Sequence, residues 1–343
     1  KEQCFGEKGE EELGQSWQDN LPNLLEKLQH ILNIPAILTQ LNSESITNPT
    51  PQIQNLILIP HRDLHRFPLH ALFPDTFTIT YLPSAQIGLN LNNRGEIHPI
   101  LPLLIDSPPH QNCKPLPNAV IESAAIAQLF PNSQRISGEQ ATKTTVTNAL
   151  NGNYTIFHFS GHGTYDHETP QNSALLLNYQ DKLTINDIRQ LCLNSYYLVT
   201  LAACETALTG RETIEKDYVG LVSAFVYQGV SHVLSTLWII LDDMSSSLFI
   251  VHFYCQLKKG KPPGVALAKT QNWLKNLTYQ ELALYYQEIY QQLPEEENNL
   301  RPKIRDELGK IRDMEPDKHQ EKPFQHPYYW AAFTIKGAPP DNS

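Results

Sequence analysis

Cys204 and His162 are a thiol and an imidazole, two side-chain types that together can support covalent chemistry. A thiol with an ordinary pKa near 8.5 is only a few per cent ionised at pH 7, and the thiolate is the nucleophile. A neighbouring imidazole supplies the base or the stabilising cation. Gly161 and Gly163 flank the histidine and carry no Cβ, which permits a tight turn and close approach of a substrate backbone. The backbone N–H groups of Gly163 and Cys204 could face a developing oxyanion. The plain alternative is a buried free cysteine and a histidine that only ends a strand.

Cys204 and His162 lie far apart in sequence, so the fold must bring them together. The apolar run Tyr154 to Phe159 breaks at Ser160-Gly161-His162-Gly163, and a second run, Tyr196 to Ala203, ends on Cys204. Both runs are short, rich in β-branched and aromatic residues, and stopped by turn residues, so they read as buried strands. Leu183 to Leu193 between them reads as a helix with Thr184 near its start. Strand, helix and strand form a βαβ unit, whose strands run parallel and side by side. Ligands of open α/β sheets sit beyond the carboxyl ends of the strands, where both residues fall.

Other words of the sequence extend this pattern. Trp17 to Ile34 has apolar residues at helical spacing, with Asp19 or Asn20 near its cap. Ser43 to Gln54 reads as a polar loop, and Leu56 to Ile59 as a buried strand. The segment His61 to His70 is dense in imidazole and guanidinium. It reads as a strand-to-helix turn rather than a metal or anion site, because Pro68 limits helix formation. Phe77 to Tyr81 is a strand, and the Pro-rich loop Ser107 to Pro117 is the best internal boundary. Helices are expected over Asn118–Leu129, Thr142–Leu150, Asp217–Gln228, Met244–Leu257 and Pro262–Leu277, and strands over Val230–Leu237 and Tyr329–Lys336. The charged stretch Gln280 to Asp317 reads as one or two solvated helices.

The chain's 343 residues suffice for one large domain or two small ones, and 41% hydrophobic residues can bury a substantial core. A formal net charge of -10 speaks against a dedicated nucleic-acid surface. No apolar run approaches the roughly 20 residues of a membrane span, and no signal-peptide pattern opens the sequence. Opening on Lys1 rather than Met, it reads as part of a longer protein. Cys4, Cys113, Cys192, Cys204 and Cys255 are odd in number and match no zinc spacing. Free thiols in a reducing, cytoplasmic compartment follow, with no metal or organic cofactor.

Several words in fixed order resemble the CHAT domain, a caspase-like cysteine peptidase family related to separase and often fused to tetratricopeptide repeats. They are His158 to Gly163, Leu201 to Ala207, Gly220 to Phe225 with Gly229-Val230, Ser235 to Trp238, and Tyr328 to Phe333, with Leu56 to Pro60 and Phe67 to Leu72 upstream. The resemblance spans roughly Trp17 to Gly337. It implies an α/β fold, a caspase-like mostly parallel sheet flanked by helices. Residues 1–15 would be a disordered tail and 16–116 a pseudo-protease-like half lacking the dyad. Residues 117–343 would form the catalytic half, with a charged helical insertion at about 278–320.

The resemblance also implies a cysteine endopeptidase acting on protein substrates through a Cys204/His162 dyad that needs no third member. Asp166 and His167 belong on this reading to the loop after the dyad. Asp242, in a place where the resembling separases carry an acidic residue, would select a basic residue before the cut. Trp238 and Glu205 are further substrate-binding candidates. The competing role for Asp242 is the cap of the helix near Met244. Family members can also be non-catalytic signalling or scaffold modules that bind a protein partner. A repeat region or a regulatory protein could control the domain.

Overall fold

The computed structural model describes residues 17–47, 54–91, 99–111, 113–166, 168–203, 220–238, 240, 243–292 and 301–338. Its strands are β1 (Asn55–Leu58), β2 (Thr78–Tyr81), β3 (Pro102–Asp106), β4 (Gln134–Ser137), β5 (Ile156–Gly161), β6 (Gly163–Thr164), β7 (Ala174–Leu176), β8 (Lys182–Thr184), β9 (Leu198–Ala203), β10 (His232–Thr236) and β11 (Phe333–Gly337). Eight of them form one sheet in the order β1-β2-β11-β10-β9-β5-β3-β4, and β6-β7-β8 form a small separate sheet. The strands from β10 to β4 are mutually parallel. β11 runs antiparallel to β10 and parallel to β2, so β1, β2 and β11 point the opposite way. The large sheet is therefore a five-strand region joined to a three-strand region along β10 and β11.

Alternation along the strands explains why both faces are covered. Leu104, Ile156, Leu198 and Leu234 enter one apolar cluster, while Leu103, Ile105, Phe157, Phe159, Val199, Leu201 and Val233 enter another. The helices in chain order are α1 (Leu21–Ile31), α2 (Ile34–Thr47), α3 (Ala85–Leu91), α4 (Pro117–Leu129), α5 (Lys143–Leu150), α6 (Ile185–Ile188), α7 (Leu221–Tyr227), α8 (Met244–Lys258), α9 (Pro263–Asn276), α10 (Tyr279–Gln292), α11 (Arg301–Arg312) and α12 (Pro327–Trp330). The first cluster takes side chains from α4, α8 and α9, and the second from α5, α6 and α7. A third cluster joins α1 to β1 and β2.

Local chemistry sets several boundaries. Thr142 accepts the Thr145 N–H and starts α5. Thr184 and Asp187 form a capping box that starts α6, which runs only from Ile185 to Ile188 rather than on to Leu193. The cap of α8 is Asp243, whose Oδ1 accepts from the Ser245 and Ser246 N–H groups at 2.9 and 3.1 Å. The capping role weighed for Asp242 therefore belongs to its neighbour.

Four further expectations need correction. β1 is the edge of the sheet and not a buried strand: Ile57 is 40% exposed. α2 continues into the stretch read as a loop from Ser43, ending at Thr47. The last strand begins at Phe333, because Pro327 starts a helical turn capped by the His326 ring. Among its described residues the charged stretch forms two helices as expected, α10 and α11, but they are not solvated all round: their inner faces bury Leu282, Tyr286, Ile304 and Ile311.

Candidate active site

β5 and β9 are parallel neighbours in register from Ile156↔Leu198 to Gly161↔Ala203. His162 is the next residue after Gly161, and Cys204 is the next after Ala203. Cys204 itself lies outside the described residues, as do Glu205 and Asp242. Gly161 is required by space rather than by a left-handed backbone. A Cβ there would come within 2.7 Å of the Phe159 ring and 3.2 Å of Pro108.

The His162 ring is half-buried and held at one nitrogen. Its Nε2 lies 2.8 Å from the carbonyl oxygen of Lys114. A carbonyl only accepts, so Nε2 carries the proton and, in the neutral ring, Nδ1 carries the lone pair. Among the described residues Nδ1 has no hydrogen-bond partner. The backbone is held as well, because Leu176 donates its N–H to the His162 carbonyl at 2.8 Å. That bond makes residues 162 and 176 a hydrogen-bonded pair of the antiparallel β6–β7 ladder. The Gly163↔Leu175 pair is then the non-hydrogen-bonded one, and the Gly163 N–H is directed away from β7.

The loop that brings Lys114 to the histidine leaves β3 at Asp106. This carboxylate is fully buried and receives Arg135 Nε at 2.8 Å and Ser137 Oγ at 2.6 Å. Ser107 then adopts φ +43° and donates its N–H to the Ser160 carbonyl at 2.8 Å, tying the loop to β5. Asp166 shapes the loop after the histidine, accepting from the Thr169 and Glu168 N–H groups at 2.8 and 3.0 Å. His167 lies outside the described residues.

Trp238 leaves the carboxyl end of β10 and is half-covered. Its ring stacks on Tyr328 at 6.3 Å and meets the edge of Trp17 at 5.7 Å, and its Nε1–H points to the Tyr328 carbonyl at 3.3 Å. Two features escaped the sequence. The Lys114 carbonyl is a backbone atom and has no signature beyond a Pro-rich loop. His158 reads as one residue of an apolar strand, yet its Nε2 lies 3.0 Å from Glu122 Oε1 in the core. The edge of its ring meets Tyr254, whose phenol donates to Thr200 Oγ1 at 3.1 Å and is pushed upward by burial.

The family model for the CHAT domain matches residues 22–338. The chain belongs to the CHAT domain family. Its α/β fold is a mostly parallel eight-stranded sheet flanked by helices. Among solved structures the CHAT domain is similar to the Arg specific cysteine proteinase gingipain R (RGPB). That match has 10% identity and a TM-score of 0.46, and covers 77% of this chain and 55% of that one. A complex of Porphyromonas gingivalis RgpB pro- and mature domains matches at 12% identity and a TM-score of 0.41, covering 77% and 56%. The CHAT domain thus spans little more than half the length of those chains. No curated protein matches it in sequence. Among the described residues of the CHAT domain, no helix is long and apolar enough to cross a membrane.

Proposed function

We propose that this CHAT domain is a cysteine endopeptidase with Cys204 as nucleophile and His162 as its proton-transfer partner. The observation that carries this reading is the parallel register Gly161↔Ala203, which ends two adjacent strands immediately before the two residues. Neighbouring strands are roughly 4.8 Å apart, a spacing that suits a thiol and an imidazole working together. The proton on Nε2 is committed to the Lys114 carbonyl, so Nδ1 is the atom that takes and returns the catalytic proton.

In the reaction the Cys204 sulfur bonds to the substrate carbonyl carbon as its proton passes to His162. The carbonyl π electrons move to oxygen, and the Gly163 and Cys204 N–H groups donate to that oxyanion. Collapse breaks the C–N bond, and imidazolium protonates the leaving amine. Water then attacks the thioester, giving up a proton to His162. The acid product leaves and the thiol is restored.

Asp242 is the proposed selector of a basic residue before the cut, through a charge-assisted contact. Its support is that Asp243 already caps α8. Trp238, fixed by Tyr328 and Trp17, offers an apolar surface at the carboxyl end of β10, and Glu205 is a second acidic candidate. The substrate is a protein segment, and a repeat region or regulatory partner acts on the domain from outside it.

The test is cleavage of a diverse peptide library by wild type, Cys204→Ala and His162→Ala, with product termini read by mass spectrometry. The reading predicts cuts after Arg or Lys by wild type alone. Equal cleavage by all three proteins contradicts it. A full-length protein that binds a partner and never cuts identifies a binding module instead.

A further inference from the structure

We infer that His110 is a positioning residue for His162, holding the loop whose Lys114 carbonyl fixes the imidazole. The inference rests on the reading of His162 as the proton-transfer residue of the dyad. His162 is gripped at two points that meet in one strand. Its backbone carbonyl accepts from Leu176 N–H at 2.8 Å, and the next residue along, Leu177, offers its carbonyl to His110 Nδ1 at 2.9 Å. His110 must donate there, because a carbonyl only accepts. From His110 the chain reaches Lys114, whose carbonyl returns to the His162 ring at 2.8 Å. The circuit is closed: His162 backbone, Leu176, Leu177, His110, Lys114 and His162 ring.

The rest of the loop is pinned to the same turn. The Tyr179 N–H donates to the Pro109 carbonyl at 2.7 Å, and the Gln111 N–H donates to the Tyr179 carbonyl at 2.8 Å. Tyr179 adopts φ +60°, a costly conformation for a bulky residue, in order to present both groups to the loop. Within the clamp the His110–Leu177 bond is made by a side chain, as is the 2.7 Å bond from Gln180 Nε2 to Gln111 Oε1, so it can be removed without altering the backbone. A ring displaced by roughly 1 Å can cost about 100-fold in rate without weakening substrate binding.

The test uses the full chain, with nitrogen-15 spectra of the histidine rings at a pH where they are neutral. His162 signals are identified by their loss in His162→Ala. Wild type is expected to show His162 protonated at Nε2 alone. His110→Asn, whose amide N–H can still reach the Leu177 carbonyl, should keep that signature. His110→Ala should give a mixture of the two tautomers. With the fastest-cleaved library peptide, its kcat should drop by about 10- to 100-fold while KM stays within about twofold. If His110→Ala keeps a single Nε2–H tautomer, the inference is overturned. Should that variant not fold, His110→Gln displaces the same donor by one methylene and is judged by the same signal. Peptide cleavage by His162→Ala at the wild-type rate would sink the dyad reading alone, since the ring spectra report on the circuit without any turnover.

Discussion

His70 and His162 sit in the two regions of one sheet and are treated in opposite ways. In the three-strand region His70 is buried, with Nδ1 2.9 Å from the Tyr81 hydroxyl and Nε2 3.0 Å from the Gln271 side-chain nitrogen. Both nitrogens are occupied, and burial pushes its pKa down to about 3. Gln271 also donates to the Phe333 carbonyl at 3.0 Å, so this imidazole joins β2, α9 and β11. In the five-strand region His162 stands just past a strand end, half-exposed, with one nitrogen fixed and the other facing no described partner. Saturated hydrogen bonding makes an imidazole a structural joint. Half-saturation with a fixed tautomer leaves it able to move a proton.

That contrast can be broken from either side. The largest effect is expected at the half-saturated ring: His162→Ala should lower kcat/KM for peptide cleavage by ~10³-fold while leaving the urea midpoint near that of wild type. Equal losses of activity and stability would erase the distinction. Next comes the support beneath the loop. Arg135→Met leaves the Asp106 carboxylate buried without its cation, and the unfolding free energy in urea should drop by about 3 kcal/mol.

The saturated ring should appear in the pH dependence of stability. His70 has a folded-state pKa below its unfolded value of roughly 6.5, so the unfolded chain binds a proton that the folded chain refuses. The stability is fully present above that value and is lost as pH falls toward 3. At pH 5 the loss from His70 amounts to about 2 kcal/mol. Burial also pushes His65 and His252 down to about 4, so His70→Gln, which cannot titrate, should make the fall of the urea midpoint between pH 7 and 5 shallower without removing it. The smallest effect separates two adjacent carboxylates. Asp243→Ala should cost about 1 kcal/mol as a lost cap. Asp242→Ala should change stability by less than about 0.5 kcal/mol yet abolish any preference for Arg or Lys in the library assay.

Much of the five-strand region was legible because its strands obey simple rules. Runs such as Ile156 to Phe159 are apolar on both faces, stop at glycine, and enclose a helix, so β5 and β9 could be paired from sequence. Thr142 and Thr184 announced α5 and α6 through their hydroxyls. The three-strand region was harder. The apolar run at Leu56 looks like a core strand, but nothing in its composition says that it ends the sheet and exposes Ile57. The segment around His70 folds into two short 3-10 turns, Arg62–Arg66 and Leu69–Leu72, whose meaning depends on Tyr81 and on the distant Gln271. At the site itself, side-chain chemistry marked His162. The atom that orients its ring is a backbone carbonyl, and a peptide group looks alike in every residue.

The pairing of the two strand ends is tested most directly at the Cys204 sulfur. The rate of its alkylation by iodoacetamide can be followed from pH 4 to 10 by peptide mass mapping, in wild type and in His162→Ala. The pairing predicts a wild-type thiol that ionises well below the ordinary value near 8.5 and returns toward it in the variant. Superimposable profiles would mean that His162 does not act on Cys204, and would contradict the account.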